Sequence, residues 1–285
     1  MLLGRNINIQ HGFVSAAKYA HETGSNVFQI FLKSPHRHGQ KSREKSELIE
    51  LRDSVKAHGQ QVLVHGSFIL NFCNPVDSMI HHNGIINLIA DLNSSVILGA
   101  IGVVIHMGHN TCGLSNEKAI DNYIKGVQCA LKLSDPQSII ILETGAGAGK
   151  EICTSLFDLG DLRSKFTISE QKRITFCLDT CHLFAAGYDI GNPAYVEMLE
   201  ELIQTCLGWD NVVAIHLNDS METLNCHKDR HADIGYGKIN INGLKKFIQI
   251  CKARNKPMFL ETPANKLSHE KQIEFIKMII SKSKS

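Results

Sequence analysis

The sequence predicts a single-domain α/β protein folded as a closed (β/α)8, or TIM, barrel, and three observations predict it. The chain has 285 residues, nearly all of which a barrel of about 250 residues would use. Short apolar runs rich in Val and Ile recur along it. Each is followed by a polar or glycine-containing turn and then a longer stretch with helical spacing, the alternation of a buried parallel sheet. No Pro-rich or Ser-rich linker and no low-complexity block interrupts the series, so no domain boundary is visible.

Eight strands are expected, at residues 2–8, 27–31, 62–65, 103–106, 138–143, 174–179, 212–217 and 258–261. The stretches between them carry apolar stripes at three-to-four spacing. Ile120, Tyr123, Ile124, Val127 and Leu131 form one, and Tyr195, Met198, Leu199, Leu202, Ile203 and Cys206 another. Leu244, Phe247, Ile248 and Cys251 repeat the pattern, as do Ile273, Ile276 and Ile280. Ser115 is placed to cap a helix with Glu117 in its first turn, and Gly99 sits where a helix C-terminus favours glycine.

Composition narrows the function classes. Hydrophobic residues at 43% with 20% charged are globular usage, which excludes a disordered or fibrous chain. Thirty Lys and Arg against 28 Asp and Glu leave a formal charge of +2, so the total demands no nucleic acid and leaves room only for a local basic patch. Nine cysteines show no paired CxxC rhythm and read as free thiols in a reducing compartment. The first ten residues lack a basic segment followed by an apolar one, and no apolar run approaches the ~20 residues of a membrane helix. A soluble, intracellular protein without membrane contact is expected. Fifteen histidines are the one oddity.

Their positions matter. His65, His106, Glu143, Asp179, His216 and Glu261 each fall at or within a residue of the C-terminal end of an expected strand, on six consecutive strands, at intervals of 41, 37, 36, 37 and 45 residues. A closed barrel brings all those ends to one face, where barrel enzymes keep their chemistry. His182, three residues past Asp179, and Asp229 and His231, in the loop after the seventh strand, extend the set to nine. Imidazoles and carboxylates without a thiolate partner suit zinc or manganese in a hydrolytic site. Nine ligands are too many for one tetrahedral ion and enough for three if Glu143 bridges two. Three divalent ions on four carboxylates leave +2, which favours a phosphodiester and lowers the pKa of a bound water. A lone histidine at a strand end is an ordinary core or surface side chain, but four buried carboxylates and five histidines in register are not core packing.

Other motifs carry less. His11, His21, His58, His81, His82 and His269 fall on expected helices or turns and read as solvated; His109 and His227 lie nearer the ligands without an assigned role. The run Gly145-Ala-Gly-Ala-Gly-Lys150 resembles a phosphate loop but has Thr144 where the first glycine belongs and Glu151 where Ser or Thr would hold magnesium. It reads as a flexible turn over the ligand face. Cys177 and Cys181 flank Asp179 and read as packing thiols, with Cys177 pointing the same way one layer deeper.

The segment Phe176-Cys-Leu-Asp-Thr-Cys-His-Leu-Phe-Ala-Ala-Gly-Tyr-Asp189 resembles the signature of the endonuclease IV family, the multi-zinc apurinic/apyrimidinic endonucleases. His216-Leu-Asn-Asp-Ser220 and Asp229-Arg-His-Ala-Asp-Ile-Gly235 resemble its next motifs. Gly102-Val-Val-Ile-His-Met-Gly108, Leu142-Glu-Thr-Gly-Ala-Gly147 and Leu260-Glu-Thr262 resemble weaker ones, so the likeness runs through nearly the whole chain. It implies a TIM barrel with three zinc ions (manganese is an alternative at one site). His65, His106 and Glu143 would hold the first, Glu143, Asp179, His216 and Glu261 the second, and His182, Asp229 and His231 the third. It implies a monomer acting on double-stranded DNA containing abasic sites, cutting the phosphodiester 5′ to the lesion to leave a 3′-hydroxyl and a 5′-deoxyribose phosphate, and trimming 3′ ends. The implied nucleophile is a hydroxide bridging two ions, with Glu143 as the catalytic bridge and the third ion at the leaving oxygen. His65-Gly-Ser-Phe-Ile-Leu-Asn71 resembles the family's wedge loop, which makes Phe68 and Ile69 the candidate wedge. Lys33 and Arg37, in a basic run with Lys41, Arg43 and Lys45, are candidate phosphate contacts. The chain departs from the family at Asn6, where a histidine is usual, and at Asn225-Cys226-His227, where Gly-Ser-Arg is common.

Two rivals stand beside this reading. A metal-dependent sugar isomerase or epimerase also gathers His, Glu and Asp at strand ends but needs only one or two ions, which leaves His182, Asp229 and His231 unexplained. A catalytically dead DNA-damage binder would tolerate loss of the bridging carboxylate, and Glu143 is present.

Overall fold

The computed structural model describes residues 1–9, 12–37 and 41–281; His11 and His38 lie outside these. Eight parallel strands close into a barrel: β1 Leu3–Asn6, β2 Val27–Phe31, β3 Gln61–His65, β4 Val103–Ile105, β5 Ile140–Glu143, β6 Ile174–Asp179, β7 Val212–His216 and β10 Met258–Leu260. Around it lie α1 Ala16–Glu22, α2 Lys45–Ala57, α3 Met79–Leu98, α4 Asn116–Leu133, α5 Leu156–Ser164, α6 Ile168–Gln171, α7 Thr180–Ala185, α8 Pro193–Cys206, α9 Ile241–Ala253 and α10 His269–Ser281. A short antiparallel ribbon, β8 Asp219–Ser220 with β9 His231–Ala232, fills the connection after β7. Among the described residues no helix is long and apolar enough to cross a membrane.

All eight expected strands are present; the second and sixth have the expected bounds, the third starts one residue earlier at Gln61, and the other five are shorter. The fifth starts at Ile140 because Ser138 is held in a turn, its N–H donating to Asp135 O at 3.0 Å. His106 and Glu261 stand one residue past their strands. The Ser115 hydroxyl accepts from Lys118 N at 3.2 Å to cap α4, and Gly99 ends α3 at φ 72°. The α8 stripe is narrower than the sequence suggests. Val196, Leu199 and Ile203 face the barrel, whereas Met198 is 66% exposed, since it sits about 100° round the helix from Leu199. Three histidines expected to be solvated are not, among them half-buried His58, whose ring bonds Ser54 O at 2.8 Å. His81 is buried and bonds Phe72 O at 3.1 Å, and His269 bridges Arg5 (2.8 Å) and Thr262 O (2.9 Å).

Side chains alternate across a strand, so residues i and i+2 share a face. Val27, Leu63, Val104, Ile141, Cys177, Ala214 and Phe259 point into the barrel and pack as one apolar layer. Two residues further along the same strands stand Gln29, His65, His106, Glu143, Asp179, His216 and Glu261. The pleat that builds the inner core therefore also raises the polar layer on top of it. The outward-facing residues join the helices in a second, larger core.

In β1 the matching position is Gly4, followed two residues later by Asn6. A Cβ at Gly4 would meet the Val27 carbonyl oxygen at 1.6 Å, so only glycine lets β1 pair with β2 here. Gly4→Ala is expected to destabilise the fold by about 3 kcal/mol or more; urea unfolding midpoints measure it, and an unchanged midpoint would refute the close-approach argument.

Candidate metal centre

The strands deliver the ligands to one place. Glu143 lies at its centre: Oε2 is 3.4 Å from His65 Nε2 and 3.6 Å from His106 Nε2, and Oε1 is 2.7 Å from His216 Nδ1. His216 Nδ1 is also 3.1 Å from Glu261 Oε2 and 3.9 Å from Asp179 Oδ2. His182 Nε2 and His231 Nε2 flank Asp229 Oδ1 at 3.3 and 3.1 Å. Ligand atoms fall within 4.8 Å of one another in the sets Glu143, Asp179, His216, Glu261 and His182, Asp229, His231, and also in His65, Glu143, His216 and Asp179, Cys181, His231.

Local structure explains how each group is aimed. β6 runs directly into α7, and the Asp179 side chain caps that helix by accepting from His182 N at 2.9 Å. The three-residue spacing of Asp179 and His182 is thus the N-cap to N3 spacing. Carbonyl oxygens only accept, so the rings that touch them must donate there. His65 Nδ1 donates to Gly66 O at 2.8 Å, His182 Nδ1 to Thr144 O at 2.7 Å and His231 Nδ1 to Glu261 O at 3.3 Å. All three leave Nε2 facing the carboxylates, as metal-ligating histidines do. Asp229 and His231 hang on the ribbon, which is fastened by Asp219. That buried carboxylate accepts from the backbone of Ser220, Gly235, Gly237 and Ile239 at 2.7 to 3.1 Å.

Electrostatics bind the cluster together. Burial alone would raise Glu143, but the imidazoles of His216, His106 and His65 around it hold it well below the usual carboxylate range. Burial lifts Asp179, outweighing the pull of His182 and His231. Burial drives His106 down to about 4. Against burial, Asp179 and Asp229 raise His182 well above its ordinary value and His231 to about 9. His216 is raised too, against burial, by its contact with the Cys177 side chain and by the charges of Glu261 and Glu143.

The donor set fits divalent ions. Buried His106 Nε2, Glu143 Oε2, His182 Nε2 and His231 Nε2 make no aligned hydrogen bond, although His106, His182 and His231 each have a carboxylate oxygen at 3.1 to 3.6 Å. Four such atoms in one site, each offering nitrogen or carboxylate oxygen to the same space, are the geometry of ligands rather than of a finished hydrogen-bond network. The thiols stay aside: burial pushes Cys177 up to about 11 and Cys181 to about 12, so both remain neutral packing groups at neutral pH.

Over the ligands opens a cleft of about 540 Å3, lined by Phe31, Phe68, Arg230, Thr262, Pro263 and His269 among others. Phe68 is 45% exposed, its ring 5.3 Å from that of His65 and 5.5 Å from that of His106. Ile69 is half-buried and Arg37 exposed. Lys33 differs from the expectation of a phosphate contact. It turns inward to an ion pair with Asp91 at 3.0 Å, the two side chains 9% and 5% exposed. Its neighbours are engaged as well, Lys41 with Glu44 at 2.6 Å and Arg43 with Leu32 O at 2.9 Å. The glycine-rich turn holds a carboxylate where a phosphate loop would hold an anion, since Glu151 accepts from Gly147 N and Ala148 N at 2.9 and 3.3 Å.

Sequence reasoning gave no role to two uncharged polar groups, Gln29 and Asn218. Gln29 touches both His216 and Glu261. The Asn218 amide donates to Asp179 Oδ2 at 2.7 Å while its oxygen accepts from Glu261 N at 2.9 Å. Gln29 was findable from alternation, two residues beyond Val27; Asn218 was not, because it lies past the strand.

A family model described as xylose isomerase-like TIM barrel matches residues 17–279. The chain is 39% identical over 272 residues to a putative endonuclease 4 of Acanthamoeba polyphaga mimivirus, covering 94% of this chain and 87% of the relative. The chain belongs to the endonuclease IV family. A second endonuclease IV relative, the probable endonuclease 4 of Halothermothrix orenii, is 33% identical over 284 residues, 98% of this chain and 99% of that one. The crystal structure of endonuclease IV from Thermus thermophilus superposes with a TM-score of 0.85 at 25% identity, covering 99% and 100% of the two chains. The family resemblance read from the motifs and the closed barrel read from the strand pattern are both borne out.

Free of metal, the protein owes part of its stability to raised histidines. A histidine raised to about 9 from 6.5 contributes stability fully present below its unfolded pKa and lost as pH rises through the folded one. His182 and His216 shift the same way. Melting temperature in chelator is expected to fall between pH 6.5 and 9, and added Zn2+ to raise it most at the alkaline end, where fewer protons must be displaced. A flat melting profile in chelator would show that these rings carry no extra protons.

Proposed function

We propose that this protein is a zinc-dependent apurinic/apyrimidinic endonuclease of DNA repair. Its reaction would be hydrolysis of the phosphodiester 5′ to an abasic site in duplex DNA, leaving a 3′-hydroxyl and a 5′-deoxyribose phosphate, with trimming of 3′ ends. The observation that carries this reading is the third ligand set, His182, Asp229 and His231, beside a complete set around Glu143. One or two ions suffice for a sugar isomerase, and such an enzyme would leave the third set without a purpose.

His65, His106 and Glu143 would hold the first ion, Glu143, Asp179, His216 and Glu261 the second, and His182, Asp229 and His231 the third. Bound divalent ions supply Lewis acidity toward the phosphoryl oxygens and lower the pKa of a water. The chain's own groups do the rest. The fixed Nδ1 donations of His65, His182 and His231 keep their Nε2 atoms aimed at the carboxylates. Phe68 covers one wall of the cleft against His65 and His106, keeping water off that side, and with Ile69 it is the wedge toward the helix. Arg37 is the basic contact for the DNA backbone; Lys33, spent on Asp91, is not part of this reading.

Purified protein loaded with Zn2+ is expected to nick duplex DNA carrying one abasic site, to stop in chelator and to recover on re-addition of metal. Intact abasic duplex together with turnover of a pentose or ketose would replace this function with the isomerase reading. Glu143→Gln is expected to lower the nicking rate by orders of magnitude and to reduce the bound metal, because one carboxylate serves two sets. Near-wild-type nicking at full metal loading would show that Glu143 is not the bridge.

A further inference from the structure

From the hydrogen bonds of Gln29 we infer that this side chain is a positioning residue for the second metal set, fixing which nitrogen of His216 faces the ion and which way Glu261 points. The inference rests on the proposed metal binding. Gln29 is fully buried in β2, a strand that contributes no ligand of its own. Its amide nitrogen lies 2.6 Å from Glu261 Oε1 and its amide oxygen 2.8 Å from His216 Nε2.

The roles in this chain are forced. An ionised carboxylate only accepts, so the group facing Glu261 must be the amide NH2. The amide oxygen, which also only accepts, then faces His216, so His216 Nε2 must carry a proton. A neutral imidazole protonated there has its lone pair on Nδ1. That lone pair points at Glu143 Oε1, Glu261 Oε2 and Asp179 Oδ2, at 2.7, 3.1 and 3.9 Å. Facing three carboxylates, that nitrogen needs positive charge between it and them: a proton when no metal is bound, and a metal ion in the proton's place when one is. Gln29 thus selects Nδ1 of His216 as the ligand atom, opposite to the Nε2 presented by His65, His182 and His231, and it holds one Glu261 oxygen so that the other faces the same space.

Each variant removes a different part of this. Gln29→Leu keeps volume and burial but loses both hydrogen bonds. Gln29→Glu, when neutral, has one donor and one acceptor as the amide does; when ionised it can still accept from His216 but repels Glu261. Zn2+ affinity and stoichiometry measured by competition with a chromophoric chelator should show Gln29→Leu weakened about 10–100-fold at one ion with the other ions bound as in wild type; its metal-free melting temperature should fall, because a buried imidazole N–H and a carboxylate oxygen lose their partner. The deficit of Gln29→Glu relative to wild type should narrow as pH is lowered. Nitrogen spectra of 15N-histidine protein loaded with Zn2+ should show His216 protonated at Nε2 in wild type and lose that single tautomer in Gln29→Leu. Wild-type Zn2+ affinity in Gln29→Leu, or an unchanged His216 tautomer, would overturn the role of Gln29 alone. Wild-type protein that binds no Zn2+ would overturn the metal reading with it.

Discussion

Three buried or nearly buried carboxylates, Glu143, Asp179 and Glu261, meet one partly exposed one, Asp229, at a single end of the barrel. So much negative charge out of water is untenable without compensation. His182, His216 and His231 provide part of it: their pKa values are raised while Glu143 and Asp229 are held below the usual carboxylate range, whereas burial keeps His106 neutral. The site is organised around where positive charge can be placed, and the polar groups around it exist to aim those charges.

Its scaffold is economical because one periodicity serves two ends. The pleat that buries Val27, Leu63, Val104, Ile141, Cys177, Ala214 and Phe259 lifts the residue two positions on into the mouth of the barrel. Membership of the endonuclease IV family and the closed eight-stranded sheet place the chain on a scaffold that it shares, by description, with xylose isomerase-like barrels. What separates the two readings of function is the loop furniture, above all α7 and the ribbon of β8 and β9.

The strands and the ligand register were legible in the sequence because both follow from short-range periodicity. Ends were less legible: Ser138 has strand-like neighbours, but its hydroxyl and N–H belong to a turn. Charge was read least well. Lys33 sits in a basic run and looks solvated, yet its partner Asp91 is 58 positions away on α3, and no local pattern announces a buried pair. His81 escaped for the same reason, its acceptor being a backbone carbonyl. Gln29 and Asn218 carry no charge, and the motif that contains Asn218 assigns it no role, although each touches two of the carboxylate-bearing or imidazole-bearing residues.

Asp219, by gathering four backbone N–H groups, makes the ribbon a clip-on module. Two of the nine clustered side chains, Asp229 and His231, depend on it, while the seven others are set by strands and the first turn of α7. Deleting the clip would leave the six strand-end groups with their own anchors intact, so a barrel of this kind could gain or shed that corner of its charge cluster through one insertion, without rebuilding the sheet.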